Sequence, residues 1–285
     1  MSDTLLKIAV PNKGALAEGA SSMLREAGYR QRTDSKDLTL IDAANSVEFY
    51  WLRPRDIAVY VGEGKLDLGI TGRDMLLDSG ADADEVMELG FGGSRFRFGA
   101  PAGSNYTLAD LDGKRIASSY PGLLGAYLAQ QRVSARLIKL DGAVESAIRL
   151  GVADAIADVV DTGTTLAKAG LELFGEPILH SEAILIKRAG NGLPHGAENL
   201  LRRLQGLLVA RNYVMLDYDI EEANLDHAVE LAPGLQSPTI SSLATQGWYA
   251  VRAMVPRKNA QQLMDNLWDA GARAILVTEI AACRL

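Results

Sequence analysis

What most limits the folds open to this chain is a repeated unit, in which a short apolar run ends in turn residues and passes at once into a helical pattern. Leu5–Val10 leads through Pro11-Asn12-Lys13-Gly14 into Ala15–Ala27, which Gly28 closes. Val47–Leu52 leads through Arg53 into a helix with Pro54 in its first turn, ended by Gly62–Gly64. Asp67–Gly72 leads into Arg73–Leu77. This alternation predicts βαβ units and a largely parallel sheet. Ligands of such sheets gather at the carboxyl ends of the strands, which is where Lys13, Gly14, Arg53, Thr71 and Asp74 fall.

A glycine cluster at Gly90, Gly92 and Gly93 precedes the alternating strand pattern Arg95–Phe98 and reads as a crossover into a second lobe. There, Thr107–Leu111 predicts a capped turn, Arg115–Ser119 a strand, Pro121–Gln131 a helix, Arg136–Leu140 a strand and Gly142–Leu150 a helix bearing Glu145. Glu182–Lys187 then returns as a strand, and Glu198–Arg211 as a helix with Leu200, Leu201, Leu204, Leu207 and Leu208 along one side. The predicted organisation is lobe I from residues 1–95 and 180–211, lobe II from 96–179, and a third domain from 212–285. Two lobes joined by two crossings describe a cleft that can close on a ligand. In the third domain the order Tyr213–Ile220 strand, Glu221–Leu231 helix, Thr239–Leu243 strand, Tyr249–Val255 strand, Ala260–Trp268 helix, Ala274–Ala281 strand is the ferredoxin-like βαββαβ pattern.

The richest stretch chemically is Asp154–Leu166, D-A-I-A-D-V-V-D-T-G-T-T-L. A strand pattern carrying Asp154, Asp158 and Asp161 ends in Thr162-Gly163-Thr164-Thr165, with a helical pattern from Leu166. Gly163 allows close backbone approach, and threonine hydroxyls, free N–H groups and a helix N-terminus suit a phosphate. The upstream carboxylates would repel that phosphate, so they must serve something else nearby, such as ribose hydroxyls or a metal ion. A plain strand-to-helix turn with a Thr cap is the competing reading.

Charge narrows the partners. Lys+Arg 29 against Asp+Glu 36 gives −7, which argues against a nucleic-acid or anionic-membrane surface, so any anionic ligand needs local basic residues or a cation. No run approaches the roughly 20 apolar residues of a membrane span, and the N-terminus has Asp3 and no secretory apolar region, which predicts a cytoplasmic protein. The single Cys283, expected near the end of a strand, reads as a small buried apolar residue. His180, His195 and His227 lack metal-ligand spacing.

Taken together, K-I-A-V-P-N-K-G at Lys7–Gly14, L-R-P-R-D-I-A-V-Y-V-G at Leu52–Gly62, L-G-I-T-G-R-D at Leu68–Asp74, R-I-A-S-S-Y-P at Arg115–Pro121 and K-L-D-G-A-V-E at Lys139–Glu145, with Asp154–Leu166 and the C-terminal extension, resemble the long form of the ATP phosphoribosyltransferase family over essentially the whole chain. The resemblance implies an α/β fold: a two-lobed core like a type II periplasmic binding protein, followed by a ferredoxin-like (ACT-like) regulatory domain. It implies transfer of the 5-phosphoribosyl group of 5-phosphoribosyl-1-pyrophosphate (PRPP) to N1 of ATP with inversion and release of pyrophosphate, the first step of histidine biosynthesis. It further implies Mg²⁺, inhibition by L-histidine, and homodimers and homohexamers.

On that resemblance, Thr162, Gly163, Thr164 and Thr165 hold the 5-phosphate, and Asp158 with Asp161 takes the catalytic position at the ribose hydroxyls. Lys13, Gly14, Arg53, Asp74, Tyr120 and Glu145 meet nucleotide or pyrophosphate, and Asp217 with Thr239 is expected to take histidine. No protein ligand for the metal is nominated, and Asp154 is left out as the partner of a backbone or basic neighbour. Asp161 departs from the serine or glycine frequent there in the family, so Asp158 carries more weight. The rival readings are a phosphoribosyltransferase for another base, a non-catalytic cleft-type binding protein, and an amino-acid sensor built on the third domain.

Overall fold

The computed structural model describes residues 5–160 and 163–284. These divide into two compact units, Met1–Ala197 and Glu198–Leu285.

In the first unit the predicted alternation forms because each apolar run is short, turn-terminated and feeds a helix with a marked start. Leu6–Pro11, Val47–Leu52 and Leu68–Gly72 are strands, and Ala15–Glu26, Pro54–Gly62 and Arg73–Ser79 are the helices that follow them. Pro54 sits in the first turn of its helix, where its missing N–H costs nothing. The sheet order is Thr39–Asp42, Val47–Leu52, Leu6–Pro11, Leu68–Gly72, Ala183–Arg188, Ala83–Glu88. Leu6–Pro11 runs parallel to both Val47–Leu52 and Leu68–Gly72. The remaining three pairings are antiparallel, so the sheet is mixed rather than largely parallel. The reason is topological: Thr39–Asp42 arrives by a short connection, and Ala183–Arg188 returns from the other lobe in the opposite sense. Ile8, Phe49, Trp51, Ile57, Leu68 and Ile70 are buried in this lobe.

The second sheet has the order Leu171–Ser181, Ser94–Pro101, Ala155–Val160, Arg115–Ser118, Arg136–Lys139. It too is mixed, its last three strands running parallel. One face carries Phe96, Phe98, Ile116, Leu124 and Ala157, and the other Ala117, Val144, Ile156, Val160 and Leu166. Period-two alternation sends the neighbours Ile156 and Ala157 into different cores. The strands Thr39–Asp42, Ala83–Glu88 and Leu171–Ser181 escape the sequence reading, since each carries exposed polar positions that dilute the apolar pattern.

Two helices differ from expectation. The predicted Gly142–Leu150 helix shrinks to Ser146–Arg149 behind Gly142 (φ 109°) and Ala143 (φ 48°), which leaves Glu145 at its N-cap position. The helix expected from Leu166 starts earlier, at Thr164, and is five residues long, so any dipole contribution from it is small.

In the second unit, Tyr213–Glu221, Leu225–Leu231, Thr239–Ser242, Trp248–Pro256, Ala260–Asp269 and Arg273–Glu279 follow the expected order. The sheet runs Thr239–Ser242, Trp248–Pro256, Tyr213–Glu221, Arg273–Glu279, all antiparallel. Its last strand ends at Glu279, two residues before the predicted end. Cys283 therefore lies beyond that strand, half-buried, with its thiol donating to the Gly206 carbonyl at 3.2 Å. Val214, Leu216, Tyr218, Ile220, Val251 and Leu267 form the core. Among the described residues no helix is long and apolar enough to cross a membrane.

Candidate active site

The side chains with the strongest chemistry in the first unit converge where the two lobes face one another. Asp158 lies on Ala155–Val160, five positions before Gly163, which takes a left-handed conformation (φ 76°). Thr164 and Thr165 follow it in the first turn of the short helix, both exposed. Gly163, Thr164 and Thr165 thus stand together at the start of this helix, while Asp161 and Thr162 lie outside the described residues.

Burial pushes the Asp158 carboxyl up to about 6, a rise that the Val159 N–H, donating to Oδ1 at 2.9 Å, partly opposes. The negative charges of Glu145 and Asp74 raise it further, while Arg55 lowers it. Four groups from separate stretches of chain therefore share one electrostatic environment. Glu145 joins it from the N-cap position of its short helix, half-buried.

Tyr120 connects the lobes. It follows the strand Arg115–Ser118 by two residues and is the N-cap of the helix Pro121–Gln130, packed edge-on to Phe96 with ring centroids 5.6 Å apart. Its hydroxyl donates to Asp74, and burial followed by the Asp74 charge holds the phenol far above its usual range. The Arg55 guanidinium lies over its ring, 4.4 Å from the centroid. Tyr120 is thus both a packed aromatic and a polar member of this cluster, because its ring and its hydroxyl face different neighbours.

Asp74 is held by Ser181, on the strand that crosses between the lobes. Ser181 Oγ donates to Asp74 Oδ1 at 2.9 Å and accepts the Asp74 N–H at 3.0 Å, with both residues buried. Thr71 is buried as well, and its hydroxyl donates to the Pro54 carbonyl at 2.9 Å, which fixes the start of the helix bearing Arg55.

Lys13, Gly14 and Arg53 stand at the carboxyl ends of two adjacent strands whose register pairs Pro11 with Leu52. Lys13 and Arg53 are exposed. The arginine that the structure brings to Asp158 and Tyr120 is Arg55, which sequence reasoning missed in favour of Arg53. Two residues along a helix start turn a side chain by about 200°, so the spacing tells that Arg53 and Arg55 point apart but not which one faces the second lobe. Ser181 gave no sequence signal.

Asp154 serves structure, as expected of it. Arg115 donates to it from the backbone N at 2.9 Å, from Nε at 3.1 Å and from Nη2 at 2.8 Å. This pairing draws the Asp154 carboxyl down to about 2. A depressed carboxyl contributes stability above its unfolded value and loses it as pH falls through the folded one. Asp154→Asn is therefore expected to cost under about 1 kcal/mol at pH 7, since the pair is partly exposed. That cost should vanish between about pH 4 and 2 in urea unfolding at graded pH.

In the second unit Asp217, Arg252 and Thr239 occupy one row across three strands, Arg252 being the register partner of both others. Arg252 Nε donates to Asp217 at 2.6 Å. With Ser241, Leu276 and Thr278 they line a cavity of about 530 Å³ that offers a cation, a carboxylate and hydroxyls. Among the described residues no group of three His, Cys, Asp or Glu side chains converges as a metal cage.

The sequence model of the family described as ATP phosphoribosyltransferase matches residues 53–206, and that described as HisG, C-terminal domain, matches 210–282. The ATP phosphoribosyltransferase of Pseudarthrobacter chlorophenolicus is 58% identical over 284 residues, covering 99% of this chain and 100% of that protein. The ATP phosphoribosyltransferase of Streptomyces coelicolor is 57% identical, with 99% and 100% covered. Among solved structures, a Thermotoga maritima ATP phosphoribosyl transferase (HisG:HisZ) complex superposes with a TM-score of 0.59 at 25% identity, covering 70% of this chain and 97% of that one.

Proposed function

The chain belongs to the ATP phosphoribosyltransferase family, whose reaction transfers the 5-phosphoribosyl group of PRPP to N1 of ATP and opens histidine biosynthesis, and from that premise we propose that the cleft around Asp158, Tyr120, Asp74 and Arg55 is where the transfer takes place. The observation that carries this reading is the convergence of those side chains from both lobes on Asp158, which precedes Gly163 by five residues.

Departure of pyrophosphate leaves positive charge on the ribosyl carbon, so catalysis is placement plus charge stabilisation. Thr162, Gly163, Thr164 and Thr165 hold the 5-phosphate, and Asp161 stands with Asp158 at the ribose hydroxyls. Asp158 accepts the ribose hydroxyls, and its ionised form stabilises the developing cation. Arg55, with Lys13, Gly14 and Arg53 at the neighbouring strand ends, meets the pyrophosphate and ATP phosphates, while Tyr120, Asp74 and Glu145 flank the nucleotide.

Members of the family generally use a divalent metal. Mg²⁺ keeps water and substrate phosphate ligands and needs only one or two protein carboxylates. Its ligands in this reading are mostly substrate phosphate oxygens and water, with no protein ligand nominated. The metal would neutralise charge on the leaving pyrophosphate, and the protein groups would hold the ribose and its phosphate in line.

The C-terminal unit is the regulatory domain in this reading. Its Asp217–Arg252–Thr239 row suits a free amino acid, with Arg252 for the carboxylate and Asp217 for the amine, and L-histidine is the proposed effector. Homodimers and homohexamers in the cytoplasm complete the proposal.

The test is pyrophosphate release. Release is expected when PRPP, ATP and Mg²⁺ are all present, and a fall when L-histidine is added. Release insensitive to histidine would remove the regulatory assignment, and no release with PRPP still bound would remove ATP as acceptor.

A further inference from the structure

The helix Pro121–Gln130 of lobe II begins without a side-chain cap of its own, since its N-cap residue Tyr120 makes no such bond. A helix start leaves N–H groups in need of partners. Pro121 has none to offer, and the Leu124 N–H reaches the Tyr120 carbonyl at 3.0 Å. The two between them, of Gly122 and Leu123, both go to one oxygen of Asp78, at 2.8 and 3.2 Å. Asp78 belongs to the other lobe, in the helix Arg73–Ser79, 44 residues earlier in the chain.

Its second oxygen accepts from Arg55 Nη1 at 3.1 Å, and that guanidinium lies over Tyr120. One carboxylate therefore closes a ring running from Asp78 to the lobe II helix, to Tyr120 and back through Arg55. Asp74, one helical turn before Asp78, holds the hydroxyl of the same Tyr120. The helices meet so closely that a Cβ added at Gly122 would lie 2.3 Å from the Asp78 carbonyl oxygen.

We propose that Asp78 is a positioning residue for the transfer reaction, clasping the lobe II helix to lobe I while setting Arg55 and Tyr120 against Asp158. It touches no substrate and acts through the groups it holds. The inference rests on reading this cleft as the active site.

The experiment measures kcat, the KM of PRPP and ATP, melting temperature and the pH profile for the wild type, Asp78→Ala, Asp78→Asn and Gly122→Ala, using pyrophosphate release. Asp78→Ala is expected to lower kcat by on the order of tenfold, as small misplacements of reacting groups do. Its acid limb should move up, since Arg55 no longer has its tether beside Asp158. Asp78→Asn keeps an oxygen for the two N–H groups but loses the ion pair, so kcat should recover in part while the acid limb stays displaced. Gly122→Ala leaves every charged group in place yet forces the helices apart, and should also lower kcat, which keeps the test open if Asp78→Ala folds poorly. A kcat within twofold of wild type in Asp78→Ala, or a loss that follows melting temperature alone with the acid limb unmoved, would overturn the proposal. An inactive wild type would instead count against the active-site reading itself.

Discussion

Replacing Asp158 with asparagine is expected to lower turnover by at least about a hundredfold while the fold survives, because the amide keeps the shape of the carboxylate and removes the charge that, in the proposed site, faces the ribosyl cation. The wild type should show an acid limb in kcat/KM near pH 6, where burial has pushed this carboxyl, and the variant should lack it. Stability should move the other way. A carboxyl raised in the folded state destabilises it progressively as pH climbs from its unfolded value near 4 through about 6. Asp158→Asn should therefore be the more stable protein at pH 8, by on the order of 2 kcal/mol. Steady-state kinetics from pH 5 to 9 with urea unfolding at pH 5 and 8 reads both. Near-normal turnover at pH 8 would take Asp158 out of the reaction.

Arg55→Ala should have an effect of similar size by a different route. Arg55 is the cation that the structure sets against Tyr120 and that lowers the Asp158 carboxyl against the push of Glu145 and Asp74. Its removal takes the proposed phosphate contact from the cleft and leaves the two acids around Asp158, Glu145 and Asp74, less compensated. A loss of about a hundredfold in kcat/KM for PRPP is expected, with the acid limb displaced above about 6. Arg53→Ala provides the comparison: equal losses from both, with no change in the acid limb for Arg55→Ala, would mean that general positive charge at the strand ends matters rather than this geometry.

The two variants separate what was legible in the residues from what was not. Asp158 stood out because an acid ahead of a Thr-Gly-Thr-Thr turn asks for a sugar beside a phosphate. Arg55 did not, because R-P-R offers two guanidinium groups and nothing local says which one faces the second lobe. Similarly, the sequence placed Tyr120 at a helix start, but its hydrogen bond to Asp74 joins residues from different lobes.

By itself, the sequence determined most elements and their ends: Val47–Leu52 and Pro54–Gly62 appear where apolar alternation, a first-turn proline and a closing glycine put them. It also determined the family and the order of the C-terminal βαββαβ sheet. These are matters of local periodicity and of short motifs in a set order, and each is written within a few neighbouring residues. Tertiary structure alone decided the mixed strand directions, the choice of Arg55, the raised Asp158 carboxyl and the cross-lobe cap from Asp78. Strand direction, burial and the partner of a charge depend on which distant segments pack together, and that is settled by long-range contacts which no single stretch of the chain encodes.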